Sequence, residues 1–118
     1  MGLKGYRKLM KNKIVVLPMD LSQKDMGLSP KVADELLQNL NIIINAGGTS
    51  DFNARLDLAK DLNVRAPRML MELAEKCVKF EMFCQVSTLL AYSDRTGFID
   101  EKMFESTHDW EEDCKKIE

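Results

Sequence analysis

Ser29 to Gly48, S-P-K-V-A-D-E-L-L-Q-N-L-N-I-I-I-N-A-G-G, most narrows what this chain can fold into, because it carries helix signals at both ends. Ser29 suits the cap of the first free N–H groups, Pro30 the first helical position, and Gly47 the left-handed residue that closes a helix. Between them Ala33, Leu36, Leu37, Leu40, Ile43 and Ile44 recur at helical spacing, with Val32 and Ile42 widening the stripe. The spacing predicts one helix over the whole segment, and an all-α class for the chain.

The remainder divides in the same way. Leu3, Tyr6, Met10, Ile14 and Leu17 share a helical face, so residues 3–16 are expected to form an amphipathic helix ended by Pro18. Residues 13–19 remain open between helix and strand, since Ile14, Val15 and Val16 favour extended backbone. Phe52, Leu56, Ala59 and Leu62 predict a third helix over 51–63, capped by Ser50 or Asp51 and supported by an Asp51/Arg55 pair. Asn63 to Ala66 then read as a tight corner before a helix that starts at Pro67 and runs to about Ser93. The second half of that helix is apolar almost all round, which makes Met82, Val86 and Leu89 candidates for a core or subunit interface. Gly97 closes it, and Asp100 can cap a last helix to about Ile117, marked by Met103, Thr107, Trp110, Cys114 and Ile117. The expectation is a compact bundle of four to five helices in a single domain, 1–118. A domain of that size buries roughly two-thirds of its unfolded surface, enough for one core.

Composition excludes the extremes. With 45% apolar and 31% charged residues the chain is neither disordered nor membrane-spanning. No apolar run approaches the ~18 residues of a transmembrane helix, and Ile14 to Met19 is too short and too proline-broken for a secretory signal. A cytoplasmic location with no membrane partner is expected. The formal net charge of −2 is unevenly placed: residues 1–19 carry five cations and no acid, residues 100–118 eight acids and three lysines. Either these are solvated faces that attract each other, or the basic head contacts phosphate or an anionic surface.

Each candidate site in the sequence also has a plainer explanation. Glu105 and His108 form an E-x-x-H pair, but a helical di-metal site needs two such motifs and His108 is the only histidine. Cys77, Cys84 and Cys114 have spacings of seven and thirty, unlike structural zinc sites, and fall on apolar stripes. They are expected to be buried and reduced. Gly47-Gly48-Thr49-Ser50 could hold an anion on backbone N–H groups, but no Walker lysine follows and nothing marks a preceding strand, so a helix-to-helix turn is the stronger reading. Arg65 and Arg68 flank the proline corner and can grip phosphate or a carboxylate, unless Asp61 neutralises Arg65. With one histidine, no nucleophilic triad can be assembled. No catalytic residue, metal or cofactor is therefore expected.

A basic first helix, a proline connector, an apolar stretch ending Ile43-Ile44-Asn45-Ala46-Gly47 and the junction Gly97-Phe98-Ile99-Asp100-Glu101-Lys102-Met103-Phe104 give a loose resemblance to one family. These are the small helical bundles encoded in ribosomal intervening sequences and beside reverse transcriptases of diversity-generating elements. The Arg65-Ala66-Pro67 corner and the acidic tail depart from that pattern. The resemblance implies a nucleic-acid-binding accessory protein that uses Lys4, Arg7, Lys8, Lys11, Arg65 and Arg68. The residues themselves favour a non-catalytic accessory or regulatory subunit, binding a larger protein or a second copy through the same basic positions and through Met82, Val86 and Leu89.

Overall fold

The computed structural model describes residues 3–105 and 109–116. Its first element, α1 (Leu3–Lys13), stops ahead of the β-branched run Ile14-Val15-Val16. Residues 14–20 carry neither helix nor paired strand, so neither alternative for 13–19 is realised beyond Lys13. A turn follows in which the Asp20 carboxylate accepts hydrogen bonds from the Ser22 hydroxyl (2.6 Å), the Ser22 N–H (3.0 Å) and the Gln23 amide (2.9 Å). Those bonds, led by the Ser22 hydroxyl, hold Asp20 below its ordinary carboxylate value.

Helix α2 (Pro30–Asn39) begins as its sequence says, with the Ser29 hydroxyl accepting from Val32 N–H. It does not reach Gly47. Leu40 turns extended at ψ 125°, and Ile42–Asn45 form a strand, β1. A local and a long-range cause combine. Asn39 donates its side-chain amide back to Glu35 C=O, and Asn41 donates its own to Lys79 C=O, a partner 38 residues away. The three consecutive isoleucines then favour pleated backbone over helix.

The corner expected at Asn63–Ala66 is instead the middle of a long helical run. Helix α3 (Leu56–Lys60) passes through one π turn, Asp61–Arg65, into α4 (Ala66–Lys76). The π turn answers Pro67: the ring brings no N–H, and Ala66 N–H bonds back five residues to Asp61 C=O, so the helix widens rather than stops. The third helix also starts later than expected, because Asp51 closes a turn with Asn53 N–H and Arg55 pairs with Asp57 at 2.6 Å, not with Asp51.

Helix α4 ends at Lys76, far short of Ser93, and Met82–Gln85 form β2, parallel to β1 in the register Ile42↔Met82 to Asn45↔Gln85. The two strands and the helical run between them are a βαβ unit. This overturns the all-α bundle: the apolar second half of the expected fourth helix is a strand plus a short 3₁₀ turn, Leu89–Tyr92. Met82 lies in β2, Val86 N–H bonds to Asn45 C=O just beyond it, and Leu89 opens the 3₁₀ turn. The last helix, α5 (Trp110–Lys115), is capped by Asp109 rather than Asp100. Thr107, His108 and Ile117, invoked for the E-x-x-H pair and the last stripe, lie outside the described residues.

The core is one-sided. Ala66, Leu70 and Ala74 recur by four along α4, with buried Cys77 just past its end; the helix packs on β1, β2 and α2, while Ile43 and Asn45 are the buried residues of β1. Ala66 is 0% exposed, and the two alanines let helix and sheet approach closely. The alternate residues Ile42, Ile44 and Met82 stay open.

Candidate functional site

Asn45, the last residue of β1, organises what lies beyond the strands. It is only 5% exposed; its amide donates to Gln85 Oε1 (2.8 Å), tying the strand ends together, and its Oδ1 accepts from Gly47 N–H (3.1 Å), turning the chain outward. Asn63, on the π turn, then clamps the loop: Oδ1 accepts from Thr49 N–H at 2.9 Å and Nδ2 donates to Thr49 C=O at 3.0 Å. The backbone comes so close that a Cβ on Gly48 would lie 2.7 Å from Asn63 Oδ1. One on Gly47 would lie 3.4 Å from Leu21.

These contacts hold open a cavity of about 750 Å³ at the carboxyl ends of both strands. Its floor is Ala46 to Ser50 after β1 and Val86 to Thr88 after β2; Phe52, Leu56 and Leu90 supply apolar walls. Among the described residues Asp51 is the one ionisable group in the lining, and no cation among them faces the space. Most polar side chains here already have structural duties. Thr88 Oγ1 caps the 3₁₀ turn, Thr49 Oγ1 accepts from Asp51 N–H, and both halves of the Asn63 amide are engaged. The hydroxyls of Ser50 and Ser87 make no hydrogen bond among the described residues.

The residues singled out from sequence do not converge here. Lys4, Arg7, Lys8 and Lys11 lie on α1, all exposed, and among the described residues none is ion-paired. Arg65 pairs with Asp61 at 3.4 Å; Arg68 pairs with Glu72 at 3.3 Å and with Glu111 at 3.6 Å. Both border a separate cleft of about 490 Å³ against α5. Met82, Val86 and Leu89 remain exposed, at 48%, 55% and 92%. Of the cysteines only Cys77 is buried; Cys84 is exposed and Cys114 half-buried, and no metal-binding group of His, Cys, Asp and Glu occurs among the described residues. The loop at this cavity, Gly47-Gly48-Thr49-Ser50, is legible in the sequence as a small-residue turn. Its missing signal was the strand before it, Ile42–Ile44, absorbed into the helix stripe.

Comparison with known proteins identifies the fold. The sequence profile of the NAD-binding family described as male sterility protein matches residues 3–118. Fatty acyl-CoA reductase 2, chloroplastic, of Arabidopsis thaliana is 36% identical over 85% of this chain, fatty acyl-CoA reductase 1 of Gallus gallus 38% over 72%, and fatty acyl-CoA reductase 1 of Homo sapiens 35% over 80%. The matched part is 16% to 18% of each of those proteins. Those relatives are named as reductases, and the matches overturn the expectations of a non-catalytic accessory subunit, of no enzyme activity and of a nucleic-acid-binding helical bundle. A Gly-rich loop leaving a parallel strand, a crossover helix and a second strand whose end faces the same cavity are parts of a dinucleotide-binding α/β architecture. This chain belongs to the NAD-binding male sterility protein family.

Proposed function

We propose that the protein carrying this chain is a nicotinamide-dependent reductase of fatty acyl thioesters, and that the cavity beyond β1 and β2 receives the nicotinamide and its ribose. The observation that carries this reading is the lining: small residues, free hydroxyls and apolar walls at the carboxyl ends of parallel strands, where such folds bind ligands. It suits an uncharged ring and sugar. It does not suit a pyrophosphate, for no cation among the described residues lines it and the sequence has no G-x-G-x-x-G loop. When bound, a reduced nicotinamide supplies hydride to an acyl carbonyl.

The chain's own residues would orient and polarise. Asn45 and Asn63 would hold the Gly47–Thr49 backbone beside the ring, and Phe52, Leu56 and Leu90 would offer it apolar contact. Ser87, leaving β2 with its hydroxyl unengaged among the described residues, is the donor placed to hydrogen-bond the carbonyl oxygen as negative charge develops there. The test is oxidation of reduced nicotinamide dinucleotide by the full-length protein on adding a long-chain acyl-CoA. Ser87→Ala should lower kcat about a hundredfold while leaving dinucleotide affinity unchanged. Wild-type turnover with an undiminished Ser87→Ala variant would remove Ser87 from the chemistry; no acyl-CoA-dependent oxidation would refute the reading.

A further inference from the structure

Parallel strands exchange evenly spaced, slanted hydrogen bonds, and here the last rung runs from Val86 N–H to Asn45 C=O at 2.9 Å. In the register Asn45↔Gln85 the next rung would join Gly47 N–H to Val86 C=O. That rung is not made. Gly47 N–H donates instead to Asn45 Oδ1 (3.1 Å), Asn45 Nδ2 to Gln85 Oε1 (2.8 Å), and Gln85 Nε2 to Val86 C=O (3.0 Å). Three bonds and two side-chain amides thus stand between the two backbone groups that a continuing ladder would join directly. Their sense is fixed from both ends, because the Gly47 N–H can only donate and the Val86 C=O can only accept. Each amide can then lie one way round, its oxygen toward Gly47 and its nitrogen toward Val86.

We propose that the Asn45–Gln85 amide pair is a wedge that replaces the next rung of the ladder, holding the Gly47 and Val86 backbones apart so that a ligand can enter at the strand ends. Both backbone segments belong to the cavity floor, and Gln85 itself lines the space. Zipped by one more rung, they would approach to the spacing of paired strands, about 4.8 Å, and the floor would close. The Val86 C=O also lies in the peptide plane that leads into Ser87, so the Gln85 amide sets the direction in which Ser87 leaves the strand. Asn45 is nearly buried, and the wedge is complete within the βαβ unit. That the ligand admitted is a reduced nicotinamide dinucleotide rests on the reductase reading; the replaced rung does not.

The test compares Asn45→Ala, Gln85→Ala and the double variant in the full-length protein, by denaturant midpoint and by calorimetric titration with reduced nicotinamide dinucleotide. Each single replacement strands one end of the relay and should lower the midpoint. In the double variant Gly47 N–H and Val86 C=O are free to bond each other, so the midpoint should recover toward wild type while dinucleotide affinity falls at least about tenfold. A bridge with a purely structural role would lose or regain both together. Gln85→Glu keeps the acceptor for Asn45 but offers no hydrogen to Val86 C=O at neutral pH, so it should also lower the midpoint, with side-chain volume nearly unchanged. A double variant no more stable than Asn45→Ala would overturn the wedge, as would one that regains stability and binds dinucleotide as wild type does. A double variant that folds where Asn45→Ala does not is the expected result in its strongest form. If the wild type binds no reduced dinucleotide, the reductase reading fails, and the midpoints alone decide whether the amide pair replaces the rung.

Discussion

Gly48 and Asn63 form a pair whose coupling can be worked out in advance. Asn63 makes two hydrogen bonds to the backbone of Thr49, and a Cβ at position 48 would sit 2.7 Å from the accepting oxygen. Gly48→Ala therefore forces the Asn63 amide aside and breaks both bonds. Each is worth about 0.5–1.5 kcal/mol, and because Asn63 is exposed and water competes, the pair is worth about 1–2 kcal/mol in all. Asn63→Ala alone should cost the same pair of bonds. In the Asn63→Ala background the obstructing oxygen is gone, so Gly48→Ala should cost only what the backbone conformation imposes. The double-mutant cycle, read as denaturant midpoints at constant m, should show a coupling of about 1–2 kcal/mol. Additivity within about 0.5 kcal/mol would refute the steric argument, and with it the claim that Asn63 holds the Gly47–Thr49 loop. If the reductase reading holds, dinucleotide affinity should follow the same non-additive pattern.

Three further outcomes follow from the geometry. Asn45→Ala leaves Gly47 N–H and Gln85 Oε1 without their partner beside a nearly buried position, and should cost about 2–3 kcal/mol in chemical denaturation; a loss under about 0.5 would remove Asn45 from its organising role. In thiol labelling of the native protein Cys84 should react rapidly, whereas Cys77, buried and donating to Leu73 C=O at 3.3 Å, should react only as fast as the structure opens; equal rates would contradict the strand assignment. Asp20 has its folded-state value lowered by hydrogen bonds from Ser22 and Gln23, so its stabilisation is complete above its ordinary value of 3.8 and is lost as pH falls through the lowered one. Below about pH 4 the unfolding midpoint of wild type should fall more steeply than that of Asp20→Asn; parallel curves would show that the turn does not depend on the carboxylate.

The start of α2 was determined by sequence alone, because capping is local: a hydroxyl at Ser29, a proline at position 30 and an apolar stripe within one turn specify it wherever the rest of the chain goes. The amphipathic α1 and the cap at Asp109 are local in the same sense, although sequence placed the last cap at Asp100. What the stripe left open was where a helix becomes a strand. Ile42–Ile44 continue the helical spacing of Leu36, Leu37 and Leu40, and a short run of consecutive apolar residues satisfies both periods. The decision came from residues about 40 positions away: β2 pairs with β1, Asn41 bonds to Lys79, and Val78 N–H bonds to Leu37 C=O. The π turn was hidden for a related reason, since Pro67 reads locally as a stop and becomes part of a continuous helix only because α4 packs its buried face, Ala66, Leu70 and Ala74, beside the strands. A parallel pair is specified by tertiary contacts across a crossover, so the cavity at its carboxyl ends exists only once both strands are in place.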